Sequence, residues 1–230
     1  GHGQVEGFAE KYGMEFRRPL WDETPDRALI ERHEREIFPL MRQRPIFAGV
    51  EHFLLYDAYN TDGTVNEDVF AYSNRRGDER GLVVYNNKYA DARGWVKTSA
   101  AFAQKTGHGD EKILVQRTLA EGLDLNTGDD WYSIFRDQVG GLEYIRRNRQ
   151  LRDEGLYFEL GAYKRLVLIG FRQVHDNALG QYGQLMEYLE GRGVPSVEEA
   201  LREIRLQPIQ RPYGALVAPD LLRRLLDALA

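Results

Sequence analysis

Cysteine is absent from the 230 residues, which removes disulfides, thiolate nucleophiles and cysteine metal sites in one step. That absence fits a reducing compartment such as the cytoplasm. Long apolar runs are missing too: stretches such as Leu166-Val167-Leu168-Ile169 are too short for a membrane span or the core of a signal peptide. There is no excess of positive charge. The 31 Lys and Arg stand against 36 Asp and Glu, a formal net charge of -5, so nucleic acid is not an expected partner. No phosphate-binding glycine loop is followed by Lys-Ser or Lys-Thr, and no dinucleotide fingerprint follows a convincing strand. Nor does any unit of roughly 20 to 50 residues repeat, which argues against a solenoid.

What remains is an ordinary globular composition, 42% hydrophobic and 29% charged, with 13 Tyr, 10 Phe and 3 Trp. A chain of this length buries roughly 70% of the surface its unfolded form exposes, so its core needs no crosslink or metal. The start, Gly1-His2-Gly3-Gln4, lacks Met and reads as an internal cut, a processed start or an expression scar.

Periodicity gives the architecture. Thr24 caps and Pro25 opens a predicted helix in which Leu29, Ile30, His33, Ile37, Leu40 and Met41 recur at helical spacing, with a bend at Pro39. Beyond Pro45 the pattern turns to sheet. Residues 53–56 and 69–73 read as strands, and Leu82-Val83-Val84-Tyr85 completes a hairpin across the polar residues 75–80. Tyr89, Trp95 and Phe102 are expected in a covering loop, Gly107 to Asp110 in a turn, and Lys112 to Gln116 in a strand. Thr118 to Leu125 reads as a short helix. From Asp130, the spacing of Trp131, Ile134, Phe135, Val139, Leu142 and Ile145 predicts another helix. Residues 156–174 read as extended with breaks at Gly161 and Gly170, and Leu179 to Leu189 as helical. Ser196 and Glu199 mark a further start, Pro208, Pro212 and Gly214 break the chain, and 220–229 is amphipathic. The fold class is α+β: an antiparallel β-sandwich-like region with an N-terminal helix and a substantial C-terminal helical extension. The segments are 1–45, 46–125 and 126–230.

Chemistry-bearing residues are scattered. His33 lacks the second histidine of a zinc helix, since position 37 is Ile37. His175 precedes Asp176, a pair able to orient an imidazole but with no nucleophile nearby. Glu51, Asp57, Asp62, Glu67 and Asp68 flank the first strands, where turn capping explains them more simply than paired glycosidase carboxylates. Gly128-Asp129-Asp130 lacks the alternating ligands of a calcium loop. No metal or cofactor is expected. The basic cluster Arg146, Arg147, Arg149 and Arg152 reads as a solvated helix face. Aromatic side chains offer flat platforms for pyranose rings, and Tyr59, Tyr89 and Trp95, near predicted turns, are the carbohydrate-contact candidates.

Several segments together carry a family resemblance. Gly1-His2-Gly3-Gln4-Val5-Glu6-Gly7-Phe8 with Glu10 to Glu15 resembles the late part of the catalytic barrel in large bacterial α-amylase-like proteins of glycoside hydrolase family thirteen. Arg32 to Leu40 looks like their closing helical region, and Val65 to Arg75 with Leu82 to Asn87 like strands of their C-terminal β domain. Gly191 to Ser196 is similar as well. Family members use an Asp nucleophile, a Glu acid/base and a further Asp on the barrel. The sequence context around those three does not occur here, and neither Glu67 nor Asp68 inherits a role. The resemblance implies a non-catalytic accessory portion of a glycosidase or transglycosidase, with the parent's catalytic barrel as intramolecular partner and α-glucan as a ligand. The alternatives are an independent carboxylate-dependent glycoside hydrolase and a protein-interaction module.

Overall fold

Strand alternation of apolar and polar residues organises the middle of the chain, residues 54–175, around one antiparallel sheet. The computed structural model describes residues 3–10, 20–107 and 110–216, together with Arg223 and Asp227. Eight strands form the sheet: β1 (Leu54–Asn60), β2 (Val69–Arg76), β3 (Glu79–Asn86), β4 (Ala92–Ser99), β7 (Trp131–Asp137), β8 (Glu143–Arg147), β9 (Leu156–Leu160) and β10 (Arg165–His175). Their order is β8-β7-β10-β3-β2-β1-β4-β9, so strands from both sides of residue 125 share it. A separate hairpin joins β5 (Phe102–Lys105) to β6 (Lys112–Val115). Among the described residues no helix is long and apolar enough to cross a membrane.

The sheet curls into a half-barrel. Its two edge strands, β8 and β9, both line one cavity together with β7 and β10. Irregularities help bend it: the β1–β4 register shifts between Tyr56 and Ala58, and the β10–β7 register between Ile169 and Arg172, where Gly170 takes φ +66°. The concave face carries the main core, including Tyr56, Leu82, Val84, Val96, Phe135, Phe158 and Leu168. Two short helices, α4 (Leu119–Gly122) and α5 (Asn148–Asp153), add Leu119 and Leu151. Thr118 and Glu121 close a reciprocal capping box on α4.

Helices cover two parts of the convex face. At the N-terminus α1 (Arg27–Arg32), a π-helical turn (His33–Ile37), α2 (Phe38–Arg42) and α3 (Arg44–Ala48) bring Leu40 and Phe47 onto Val83, Val167 and Ile169 of β3 and β10. Asp26 caps α1, not Thr24, because its carboxylate accepts from the Leu29 amide at 3.1 Å. The expected bend falls at the π turn, just before Pro39 opens α2. At the other end α6 (Gln181–Leu189) and α7 (Val197–Leu216) cover Tyr132, Ile134 and Ile145 of β7 and β8. Helix α7 runs on through Pro208 and Pro212, where breaks were expected.

Two other expectations are corrected. Residues 131–147 form the β7–β8 hairpin, not a helix; Gly141 at φ +74° makes its turn. Both faces of β7 are covered, by the concave core and by α6 and α7, so its apolar residues do not alternate and their helical spacing is accidental. Trp95 and Phe102 lie in strands, not in a covering loop. Part of the turn expected at 107–110 and most of the run at 220–229 lie outside the described residues.

Candidate functional site

Over β1, β4 and β9 no described helix contributes to a convex-face cluster. Side-chain parity places Ala58, Val96 and Phe158 in the concave core, so their neighbours Tyr59, Trp95 and Tyr157 stand on the opposite face. The register then aligns them. Tyr59 pairs with Trp95 across β1–β4, and Trp95 with Tyr157 across β4–β9. The result is a row of three aromatic rings at right angles to the strands, about 10 Å from first strand to third. The Trp95 and Tyr157 rings lie 5.0 Å apart between centroids, tilted by 57°. Trp95 and Tyr59 are half-buried and Tyr157 is exposed.

Glycine makes the row possible. A Cβ on Gly94 would lie 1.9 Å from the Tyr59 carbonyl oxygen, so only glycine lets β4 approach β1 beside Trp95. The adjoining turn is held by side chains: Asp62 accepts from the Thr64 amide at 2.9 Å and hydroxyl at 2.6 Å, and Asn60 accepts from Asn66 at 2.9 Å. Those bonds to Thr64 hold the Asp62 carboxyl below its usual value.

Hydrogen-bonding groups flank the rings on both sides. A depression of about 360 Å³ on one side is lined by Tyr59, Asn60, Thr61, Trp95, Lys97 and Glu154. On the other side Arg93 and Glu159 are cross-strand partners, and with Asp91 they line a second depression of about 430 Å³. The Tyr157 hydroxyl donates to Glu159 Oε1 at 2.7 Å, which raises the pKa of the phenol and fixes its ring. Flat apolar faces beside hydrogen-bonding side chains suit a ligand with an apolar ring face and a fringe of hydroxyls.

Of the three sequence candidates, Tyr59 and Trp95 are thus brought together. Tyr89 is not: it lies in the β3–β4 connection, 84% exposed, with its ring 6.1 Å from that of Tyr163. Tyr157 escaped the sequence reading because only the β4–β9 register places it beside Trp95.

Several of the remaining candidates have structural partners. The Asp176 carboxylate accepts from the amides of Asn177, Tyr182 and Gly183 at 3.0, 3.1 and 2.9 Å, capping the start of α6, while His175 packs edge-on against Trp131 at 5.2 Å. His33 Nδ1 is 2.8 Å from the Leu29 carbonyl oxygen. Asp68 pairs with Lys88 at 2.6 Å, and Asp129 with Arg149. Among the described residues no group of three or more His, Asp or Glu is placed to hold a metal ion. The basic cluster is not one helix face either, because Arg146 and Arg147 belong to strand β8 and only Arg149 and Arg152 to α5.

In comparisons with known proteins, no family model matches the chain and no curated protein matches its sequence.

Proposed function

We propose that this chain is a non-catalytic, carbohydrate-contacting module of a larger α-amylase-like glycosidase or transglycosidase, and that the row Tyr59–Trp95–Tyr157 receives an α-linked glucan. The observation that carries the reading is the in-register alignment of these three rings on a part of the convex face that no helix among the described residues covers. Pyranose rings present C–H faces that pack on aromatic rings, while their hydroxyls need partners at the rim. Asn60, Lys97 and Glu154 on one side, with Asp91, Arg93 and Glu159 on the other, are of the required chemistry. Exposed apolar side chains at the other end of β1, Phe53 and Leu55 at 41% and 53%, favour contact with the rest of the parent enzyme. The module then holds glucan near a barrel that does the chemistry.

Titration of the isotope-labelled chain with maltoheptaose tests this. The expected amide shifts fall in residues 59–61, 93–97 and 154–159, with cellohexaose giving smaller ones. Absence of shifts there at millimolar maltoheptaose would remove the glucan reading.

A further inference from the structure

Arg146 presents an unbalanced charge inside the mouth of the half-barrel. It shares a face of β8 with Tyr144, whose cross-strand partner Phe135 belongs to the concave core. Its guanidinium lies over the Tyr144 ring, 5.6 Å from the centroid. Nη1 donates to the Ile145 carbonyl at 2.8 Å and Nη2 to the Gly191 carbonyl at 2.9 Å. The second carbonyl is delivered by the end of α6, where Glu190 and Gly191 take φ +47° and +83°. Among the described residues no carboxylate lies within ion-pair distance of Arg146, whereas Arg149, Arg152 and Arg172 each have one. Burial pushes the pKa of Arg146 down, the direction expected of a charge without an anion beside it.

The cavity at this guanidinium, open to solvent on one side, has a volume of about 260 Å³. Its walls include Phe135, Tyr144, Leu156, Phe158, Leu166 and Leu168, from four strands including both sheet edges. Glu159 contributes to the rim, where its carboxylate already accepts from Tyr157. The volume is just below the roughly 300 Å³ at which pockets for drug-sized molecules begin.

We propose that this cavity is a second ligand site, for a small amphiphilic monoanion whose apolar body fills the seam between β8 and β9 and whose carboxylate pairs with Arg146. A guanidinium with free N–H groups takes a carboxylate in two parallel hydrogen bonds, and partial exclusion of water strengthens that pair. The apolar walls reward a short alkyl or aryl body, and a longer one gains little because its end stays in solvent.

Calorimetric and NMR titrations with octanoate, 1-octanol and acetate test the assignment. Octanoate is expected to bind, shifting the resonances of Phe135, Tyr144, Phe158 and Leu168, with 1-octanol and acetate each at least tenfold weaker. In Arg146→Met, which keeps the apolar stem, octanoate affinity falls to that of 1-octanol while the thermal midpoint stays close to that of the parent chain. Should that variant fail to fold, Leu168→Phe provides the second arm by filling the cavity, and is expected to abolish octanoate binding with Arg146 intact. Equal affinity for octanoate and 1-octanol in the unsubstituted chain, or shifts confined to residues outside the cavity, would overturn the proposal.

Discussion

Arg165 of β10 donates through Nη2 to the Glu36 carboxylate of the π-helical turn, across 129 residues of sequence. Arg32 and Arg35 approach the same carboxylate at 3.3 Å. Burial raises the pKa of Glu36, but the three guanidiniums outweigh it and the net direction is down. This contact pins the N-terminal helices to the sheet they cover.

Replacing Glu36 by Gln is therefore expected to cost about 2 kcal/mol of stability, because Arg165 loses its charged partner. Hydrogen exchange should accelerate over residues 27–48 before it does in β2 and β3. The pH dependence follows from a depressed carboxyl. The contribution is complete above the ordinary value of 4.5 and fades as pH falls through the lower folded value, a loss absent from the Gln variant.

Gly94→Ala tests how the aromatic row is held. The added methyl would stand 1.9 Å from the Tyr59 carbonyl oxygen and 2.8 Å from its carbon, so β1 and β4 must part. Denaturant unfolding should show a loss of about 3 kcal/mol or more. Any folded fraction should bind maltoheptaose more weakly than the parent chain.

Tyr56 governs the alkaline limit. It is buried under the sheet, its hydroxyl is 2.7 Å from Ser73 Oγ, and burial pushes its pKa up to about 12. In the unfolded chain the phenol ionises near 10, so between about pH 10 and 12 the unfolded state binds fewer protons than the folded one and stability falls as pH rises. Tyr56→Phe removes this part of the loss. Between pH 9 and pH 11.5 the unfolding free energy from urea titration should fall further for the parent than for the variant, by a difference on the order of 2 kcal/mol.

The sequence made the fold class legible where one face of a strand is buried and the other is not. The β2–β3 hairpin, read from Leu82 to Tyr85 and its partners, lies where the pattern put it. Strand β7 defeated the same reading because Tyr132 and Ile134 bury under α6 and α7 while Phe135 enters the concave core. Register was the second barrier. Tyr59 and Trp95 stood out as aromatic residues near polar breaks, yet nothing local marks Tyr157 as their neighbour until β9 pairs with β4. Arg146 was hidden by its company: within a run of four arginines it read as solvated surface, and only strand parity turns it inward.

Trp95 is the centre of the proposed glucan platform. Isothermal titration of maltoheptaose into the parent chain and into Trp95→Ala tests that most directly. The prediction is at least tenfold weaker binding in the variant, about 1.4 kcal/mol, with its thermal midpoint within a few degrees of the parent. Equal affinity in the two folded proteins would contradict it.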